Sequence, residues 1–125
     1  MELTLLGTGC PSVDYKRFGP ANLISTKKTK ILVDCGSGVT HRLDQAKVSS
    51  AEIDALFLTH LHSDHVVDLY QLIISSWHSY RIKPWKVYGP KGTKIFVKKI
   101  NYVKIDTELE DIMITVLELV VPYHY

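Results

Sequence analysis

The sequence lacks a long hydrophobic run, a basic leader and a strong charge of either sign. Its longest apolar stretch, residues 112–121, is interrupted by Thr115 and Glu118 and is shorter than the roughly 18 residues of a membrane helix. The chain starts with Met1 and Glu2, without the positive charge that precedes the apolar part of a secretory signal. A formal charge of +2 is too small to indicate nucleic-acid binding by itself. We therefore expect a cytoplasmic protein with no membrane segment.

Cysteine is also scarce, and this excludes a fold held together by disulfides. Cys10 and Cys35 are the two cysteines of the chain, too few for a disulfide framework. Each follows a strand-like segment beside glycine or proline, so we expect two reduced and mostly buried thiols. A zinc-binding role for either thiol is the alternative.

The length and composition indicate an ordinary globular domain. The chain has 125 residues, a hydrophobic fraction of 46% and a charged fraction of 22%, and residues 1–125 are expected to form a single domain. Strand patterns alternate with helical patterns, which predicts an α/β fold. The predicted strands cover residues 3–6, 21–25, 30–33, 53–58, 85–88, 102–105 and 112–121, and the predicted helices cover residues 39–47, 66–80 and 93–100.

Residues 59–65, with the sequence THLHSDH, contain most of the chemistry that the sequence shows. Their three imidazoles and one carboxylate form a ligand set suited to zinc, manganese or iron. In an extended segment His60 and His62 point the same way and can share one metal. Asp64 and His65 are adjacent and approach from another direction, so the two pairs suit two neighbouring metals better than one. The alternative is a polar loop with incidental histidines and helix-capping side chains.

Two glycine-rich turns follow strand ends and are candidate parts of the same site. Gly7, Thr8 and Gly9 form a turn that can bring backbone amides close to a ligand, although a lone Gly-x-Gly is weak evidence for phosphate binding. Asp34 begins the second turn, where a carboxylate can orient a metal-bound histidine through its other ring nitrogen. A turn carboxylate without a functional role is the alternative.

Four segments of the sequence resemble the metallo-beta-lactamase superfamily, and within it the ribonuclease Z-like branch of transfer RNA 3' processing endonucleases and related hydrolases. They are residues 6–9 (LGTG), 33–36 (VDCG), 57–65 (FLTHLHSDH) and 87–90 (VYGP). The resemblance implies an alpha-beta-beta-alpha sandwich, of which this chain contains about the N-terminal half and is truncated on the C-terminal side. The open sheet face would then be covered by the missing half or by a second copy in a homodimer.

The resemblance also implies two zinc ions, with manganese or iron as alternatives. His60 and His62 would hold one metal, and His124 is placed like the family's next histidine, which completes that metal's ligands. Asp64 and His65 would hold the other metal, and Asp64 would also help to activate the attacking water. The family's bridging aspartate and final histidine come after the position of His124, where this sequence has ended.

The reaction implied by the resemblance is hydrolysis of a phosphodiester in RNA, such as a transfer RNA precursor. One alternative is a hydrolase of a small ester, a lactone or a cyclic nucleotide on the same metal centre. Another is a non-catalytic half-domain that serves in assembly. Affinity for a nucleic acid would fall steeply with salt, whereas affinity for a small neutral ester would not.

Overall fold

The computed structural model describes residues 1–102 and 113–119. Within these residues, six strands form one mixed sheet in which the strands follow each other in chain order. The first three strands pair antiparallel, and every pairing from the third strand onward is parallel. The strands are β1 (Glu2–Gly7), β2 (Ala21–Ser25), β3 (Lys30–Val33), β4 (Ala55–Phe57), β5 (Trp85–Gly89) and β6 (Ile114–Glu118).

Helices occupy the connections between the parallel strands, because a parallel pair needs a long crossover that a tight turn cannot provide. They are α1 (Val39–Gln45), α2 (Ser63–Val66), α3 (Leu69–His78) and α4 (Thr93–Tyr102), with a short 3-10 turn at Ser50–Glu52. Among the described residues, no helix is both long and apolar enough to cross a membrane. The alternation of strands and helices is the α/β arrangement that the sequence predicts.

One face of the sheet is buried under the helices. Its apolar side chains come from alternate positions of successive strands, which point to the same side of a sheet. They form one core cluster with side chains of α1 and α3. The members that are at most 2% exposed include Leu6, Leu23, Leu32, Leu56, Val87, Val39, Leu43, Leu69 and Leu72.

The opposite face of the sheet is apolar and is not covered by any of the described residues. Leu3 and Leu5 in β1 are 63% and 58% exposed, and Leu117 in β6 is 51% exposed. Between them, Phe57 and Tyr88 pair in adjacent strands, and their rings stack with centroids 4.6 Å apart. The described part of the chain is therefore a sheet with helices on one side, which corresponds to about half of a two-sheet sandwich.

The prediction of a single helix over residues 66–80 is wrong, because the structure has two helices with a break at Val67 and Asp68. The backbone N–H of Asp68 donates to the carbonyl of Cys35 at 3.1 Å and not to a carbonyl of its own helix. The Asp68 carboxylate accepts hydrogen bonds from the backbone N–H and the hydroxyl of Thr40, at 2.8 and 2.7 Å. These bonds to the segment after β3 interrupt the helical hydrogen-bond pattern.

Smaller differences lie at the ends of elements. α1 ends at Gln45, earlier than predicted, and Lys47 has a left-handed φ of 62°, a conformation that ends helices. The strand predicted over residues 53–58 is only three residues long. Tyr102, predicted to begin a strand, is the last residue of α4. The rest of that predicted strand falls in residues 103–112, outside the described residues.

Candidate metal centre

The histidine motif lies directly after β4, at the carboxyl end of a parallel strand. Its backbone is extended at His62 (φ −64°, ψ 145°), and α2 begins at the next residue. Leu61 is half-buried and packs against the hydrophobic core. Since His60 and His62 flank Leu61 in this segment, the core contact of the leucine leaves both histidines on the other side of the chain.

The three imidazole rings of the motif lie next to one another. The ring centroid of His60 is 4.6 Å from that of His62 and 4.1 Å from that of His65. Nε2 of His65 lies 3.5 Å from Oδ2 of Asp64. The structure thus brings the four side chains of the motif together, with His65 beside His60. His124, the fifth ligand implied by the resemblance, lies outside the described residues.

Asp34 reaches the motif from the end of β3. It is 6% exposed and has a φ of 64°, a left-handed conformation that aspartate adopts more readily than most residues. Its Oδ2 lies 2.8 Å from Nδ1 of His65, and its Oδ1 accepts the backbone N–H of Thr59 at 2.8 Å. An ionised carboxylate has only acceptor atoms, so Nδ1 of His65 carries a proton, and the neutral form of this ring has its free electron pair on Nε2. A carboxylate that orients a metal-ligating histidine makes this contact.

Close backbone packing holds the motif against the turn after β3. The backbone N–H of Cys35 donates to the carbonyl of His65 at 2.8 Å. A Cβ on Gly36 would lie 2.7 Å from the carbonyl oxygen of Asp64 and 2.5 Å from atoms of the 19–20 peptide unit. Glycine at this position therefore lets three backbone segments meet beside the candidate ligands.

A cavity of about 460 Å³ opens beside the motif. Ser63 and Asp64 form part of its wall, and the loop between β1 and β2 contributes apolar side chains that include Val13, Tyr15 and Phe18. Cavities of roughly 300 to 1,000 Å³ with mostly apolar walls are typical of small-molecule sites. Asp64 therefore borders a space large enough for a small ligand.

The turn predicted to contact substrate has no hydrogen bond or shared cavity wall with the histidine motif in the described part of the chain. Gly7 and Thr8 border a separate cavity of about 120 Å³ together with Arg17 and Arg42. The backbone N–H of Gly9 donates to a carbonyl of the loop before β2 at 2.8 Å. The structure shows a packing role for this turn, and its contact with substrate stays a prediction.

The two cysteines differ in exposure. Cys35 is buried as expected, but Cys10 is exposed, contrary to the prediction, because it lies in the open loop after β1. Burial, followed by the nearby carboxylates of Asp68 and Asp34, raises the pKa of the Cys35 thiol well above its usual value. Since metals bind the thiolate, a neutral buried Cys35 is poorly suited to be a ligand.

Thr59 also contacts the site, a role that the sequence pattern does not indicate. Its hydroxyl oxygen lies 2.8 and 3.0 Å from the two carboxylate oxygens of Asp34 and 2.9 Å from Nδ1 of His60. The feature of the sequence that could have indicated this role is a hydroxyl residue directly before the first histidine of the motif. Sequence position alone does not reveal that its partner is an aspartate 25 residues earlier.

The donor chemistry of the motif fits a divalent metal. Imidazole nitrogens and a carboxylate are common ligands of zinc, manganese and iron, and Asp34 leaves Nε2 of His65 free to bind one. No group of three or more His, Cys, Asp or Glu side chains among residues 1–102 and 113–119 already converges as a complete metal site. The described residues therefore supply candidate donors, and Asp34 fixes the orientation of one of them, His65.

Comparison with known proteins shows the relationship that the motif suggests. Ribonuclease Z of Mycolicibacterium gilvum (strain PYR-GCK) is 43% identical over 103 residues, which cover 80% of this chain and 36% of that protein. The model of the family described as Anti-Pycsar protein Apyc1 matches residues 1–98. The chain belongs to this Apyc1 family and to the ribonuclease Z-like branch of the metallo-beta-lactamase superfamily.

Solved structures confirm the metallo-beta-lactamase fold of this Apyc1-family chain. Human tRNase Z, short form (ELAC1), matches with a TM-score of 0.85 and 28% identity over 98% of this chain and 47% of that chain. The metallo-beta-lactamase fold protein YhfI from Bacillus subtilis, at 21% identity, matches in fold with a TM-score of 0.71 over 94% of this chain and 44% of that one. The chain thus spans about half of these structures, and 36% of the Mycolicibacterium relative.

Proposed function

We propose that this chain forms part of the metal centre of a hydrolase that cleaves phosphodiester bonds in RNA. The observation that carries the proposal is the cluster of His60, His62 and His65 beside Asp64, with Nδ1 of His65 held by Asp34. Matching proteins named ribonuclease Z and the similarity to human tRNase Z support an RNA substrate, such as a transfer RNA precursor.

Two zinc ions are the proposed cofactor, with manganese or iron as alternatives. His60 and His62 would hold one ion, together with His124 as a proposed third ligand. Asp64 and His65 would hold the other. Two bound metal ions lower the pKa of a water molecule toward neutrality and stabilise negative charge on phosphate oxygens.

The protein's own residues would orient these donors and the substrate. Asp34 keeps the proton of His65 on Nδ1, so that Nε2 faces the site. Asp64, whose side chain is 15% exposed, would accept a hydrogen bond from the attacking water in addition to binding metal. The neighbouring cavity would hold the part of the substrate next to the scissile bond.

We also propose that residues 1–125 form one domain corresponding to about half of the sandwich. The other half, supplied by further polypeptide or by a second copy, would cover the open sheet face at Leu3, Leu5 and Leu117. It would also supply the bridging aspartate and the last histidine that the family uses. A cytoplasmic location remains a prediction from the sequence.

A second candidate is a hydrolase of a small ester, a lactone or a cyclic nucleotide. The 460 Å³ cavity beside Asp64 favours it, because this volume suits a small molecule. The names Anti-Pycsar protein Apyc1 and ribonuclease Z differ, so family membership does not decide the substrate.

The third candidate is a non-catalytic half-domain that serves in assembly. It is retained because no complete metal site is found among the described residues.

Metal content per chain, measured by elemental analysis of the purified protein, tests the metal centre. If a second copy or further polypeptide supplies the missing ligands, we expect about two zinc ions per chain, as in two-metal hydrolases. His62→Ala should lower this number, and His41→Ala should leave it unchanged because His41 is an exposed histidine of α1, outside the motif. A wild-type value near zero would mean that this chain alone does not hold the metals, and would favour an incomplete half or the assembly role.

Cleavage assays then separate the two enzymatic candidates. An RNA hydrolase should cleave a transfer RNA precursor with an affinity that falls steeply as salt rises, because phosphate contacts release counterions. Cleavage of cyclic nucleotides or small esters without cleavage of the precursor would reject the RNA substrate and keep the metal centre.

A further inference from the structure

Thr59 connects residues of the two proposed metal-ligand pairs. Its hydroxyl oxygen lies 2.9 Å from Nδ1 of His60, and 2.8 and 3.0 Å from the carboxylate oxygens of Asp34. Asp34 Oδ2 lies 2.8 Å from Nδ1 of His65. A continuous series of hydrogen-bond contacts therefore runs from His60 through Thr59 and Asp34 to His65.

The single hydrogen of the Thr59 hydroxyl decides the direction of these bonds. Ionised carboxylate oxygens only accept, so the two short O···O distances require this hydrogen to point toward Asp34. The hydroxyl oxygen can then only accept from His60, whose Nδ1 must carry the ring proton. If the hydrogen pointed toward His60, the hydroxyl oxygen of Thr59 and Oδ2 of Asp34 would lie 2.8 Å apart without a hydrogen between them.

We propose that Thr59 is a positioning residue that fixes the proton of His60 on Nδ1 and thereby presents Nε2 to a metal. The inference rests on the proposed metal centre. The direct hydrogen bond to Asp34 favours the same tautomer in His65. The Asp34 carboxylate therefore determines which nitrogen is free in one histidine of each ligand pair, directly for His65 and through Thr59 for His60. Metal-ligating histidines commonly donate their second ring N–H to a neighbouring acceptor, and loss of that acceptor weakens metal binding.

The position of Thr59 makes this role separable from folding. Thr59 is exposed, whereas Asp34 is buried, so a substitution at residue 59 removes a hydroxyl without opening the core. The backbone N–H of Thr59, which donates to Oδ1 of Asp34 at 2.8 Å, stays in place in any variant except proline. Thr59→Val keeps the branched shape and loses the hydroxyl, and Thr59→Ser keeps the hydroxyl.

Nitrogen NMR of the histidine rings in the metal-free 125-residue chain tests the proposal. Spectra are recorded about two pH units above the ordinary imidazole pKa, where a free imidazole is neutral. We expect His60 to carry its proton on Nδ1 in the wild type and in Thr59→Ser, and to lose this preference in Thr59→Val. His65, held by Asp34, should keep its Nδ1 proton in all three proteins and serves as the internal control.

An unchanged His60 tautomer in Thr59→Val, or a proton on Nε2 in the wild type, would overturn the assignment. Signal dispersion in the same spectra shows whether the valine variant is folded, and Thr59→Ala replaces it if it is not.

Zinc affinity, measured by competition with a chelator, gives the second readout. We expect roughly 10- to 100-fold weaker binding in Thr59→Val and recovery in Thr59→Ser. Equal affinity of the valine variant and the wild type would overturn the positioning role. If the wild-type chain binds no zinc, the proposed function fails for this chain, and the tautomer measurement alone decides the role of Thr59.

Discussion

Replacing Gly36 with alanine is expected to disturb the contact between the histidine motif and the loop before β2. An added Cβ would lie 2.5 Å from the carbonyl carbon of Gly19 and from the nitrogen of Pro20, and 2.7 Å from the carbonyl oxygen of Asp64. Contacts below 3.0 Å are essentially never found for a real Cβ. All three neighbours are backbone atoms, so no side-chain rotation can relieve the overlap and a backbone segment must move.

The expected loss of stability follows from two opposing effects. Overpacking of a well-packed region costs about 1 to 3 kcal/mol, and three backbone contacts place Gly36→Ala near the upper value. Alanine also restricts the unfolded chain, which favours folding by about 0.4 to 1 kcal/mol. The net effect is about 2 kcal/mol, or about 8 °C in the unfolding midpoint for a domain of this size. Gly36 has no left-handed φ, so backbone strain adds nothing.

Thermal unfolding followed by circular dichroism measures this effect. The matched control is Ser37→Ala, at an exposed position of the same turn, which should change stability by no more than about 0.5 kcal/mol. Gly36→Ala should also weaken zinc binding, because the new methyl group displaces the backbone of Asp64. A Gly36→Ala variant as stable as the wild type would refute the view that this position requires glycine for space.

Three further predictions concern charge and burial. Arg81→Lys should lower stability by about 2 kcal/mol in urea unfolding, because the half-buried guanidinium donates at 2.7 to 3.5 Å to carbonyls at and after the 3-10 turn; an unchanged midpoint would contradict this. An alkylating reagent at neutral pH should label Cys10 and spare Cys35 in the folded chain, as read by mass spectrometry, and equal labelling would argue against burial of Cys35. Burial raises the pKa of Asp54, but hydrogen bonds from the Lys83 side chain and the Lys30 backbone lower it by more. The net pKa is therefore below its usual value. The contribution of ionised Asp54 to folding stability is present above the pKa of about 3.9 that aspartate has in the unfolded chain. It is lost as the pH falls through the lower pKa of Asp54 in the folded chain. Asp54→Asn should therefore flatten the acid side of the stability profile by at most about 1 kcal/mol, because the side chain is 36% exposed; an unchanged profile would refute it.

The sequence predicts elements whose pattern is local and misses features that depend on distant partners. β2 and β3 have the predicted bounds, because each strand is a short apolar run bounded by turn residues. The sequence does not show the break at Asp68, because this break depends on Thr40, 28 residues earlier in the chain. Hydrophobic periodicity reports which face of a helix is apolar, but it does not report which polar side chain bonds to another segment.

The same distinction applies to the candidate site. His60, His62, Asp64 and His65 are recognisable because they are nearly contiguous in the sequence. The residues that orient them are recognisable only in part, since the contact between Asp34 and His65 spans 31 residues. A carboxylate at the end of a strand suggests an orienting role, but only the fold shows which histidine it contacts.

The site depends on the sheet because Asp34 and the histidine motif each follow one of two neighbouring parallel strands, β3 and β4. Val33 pairs with Phe57 in these strands, and the backbone N–H of Asp34 donates to the Phe57 carbonyl at 2.7 Å. Parallel strands end at the same edge, so the carboxylate after β3 and the motif after β4 meet there. A shift of this register by one residue would turn Asp34 toward the other face of the sheet. The orientation of His65 therefore depends on the same buried strand residues that hold the core together.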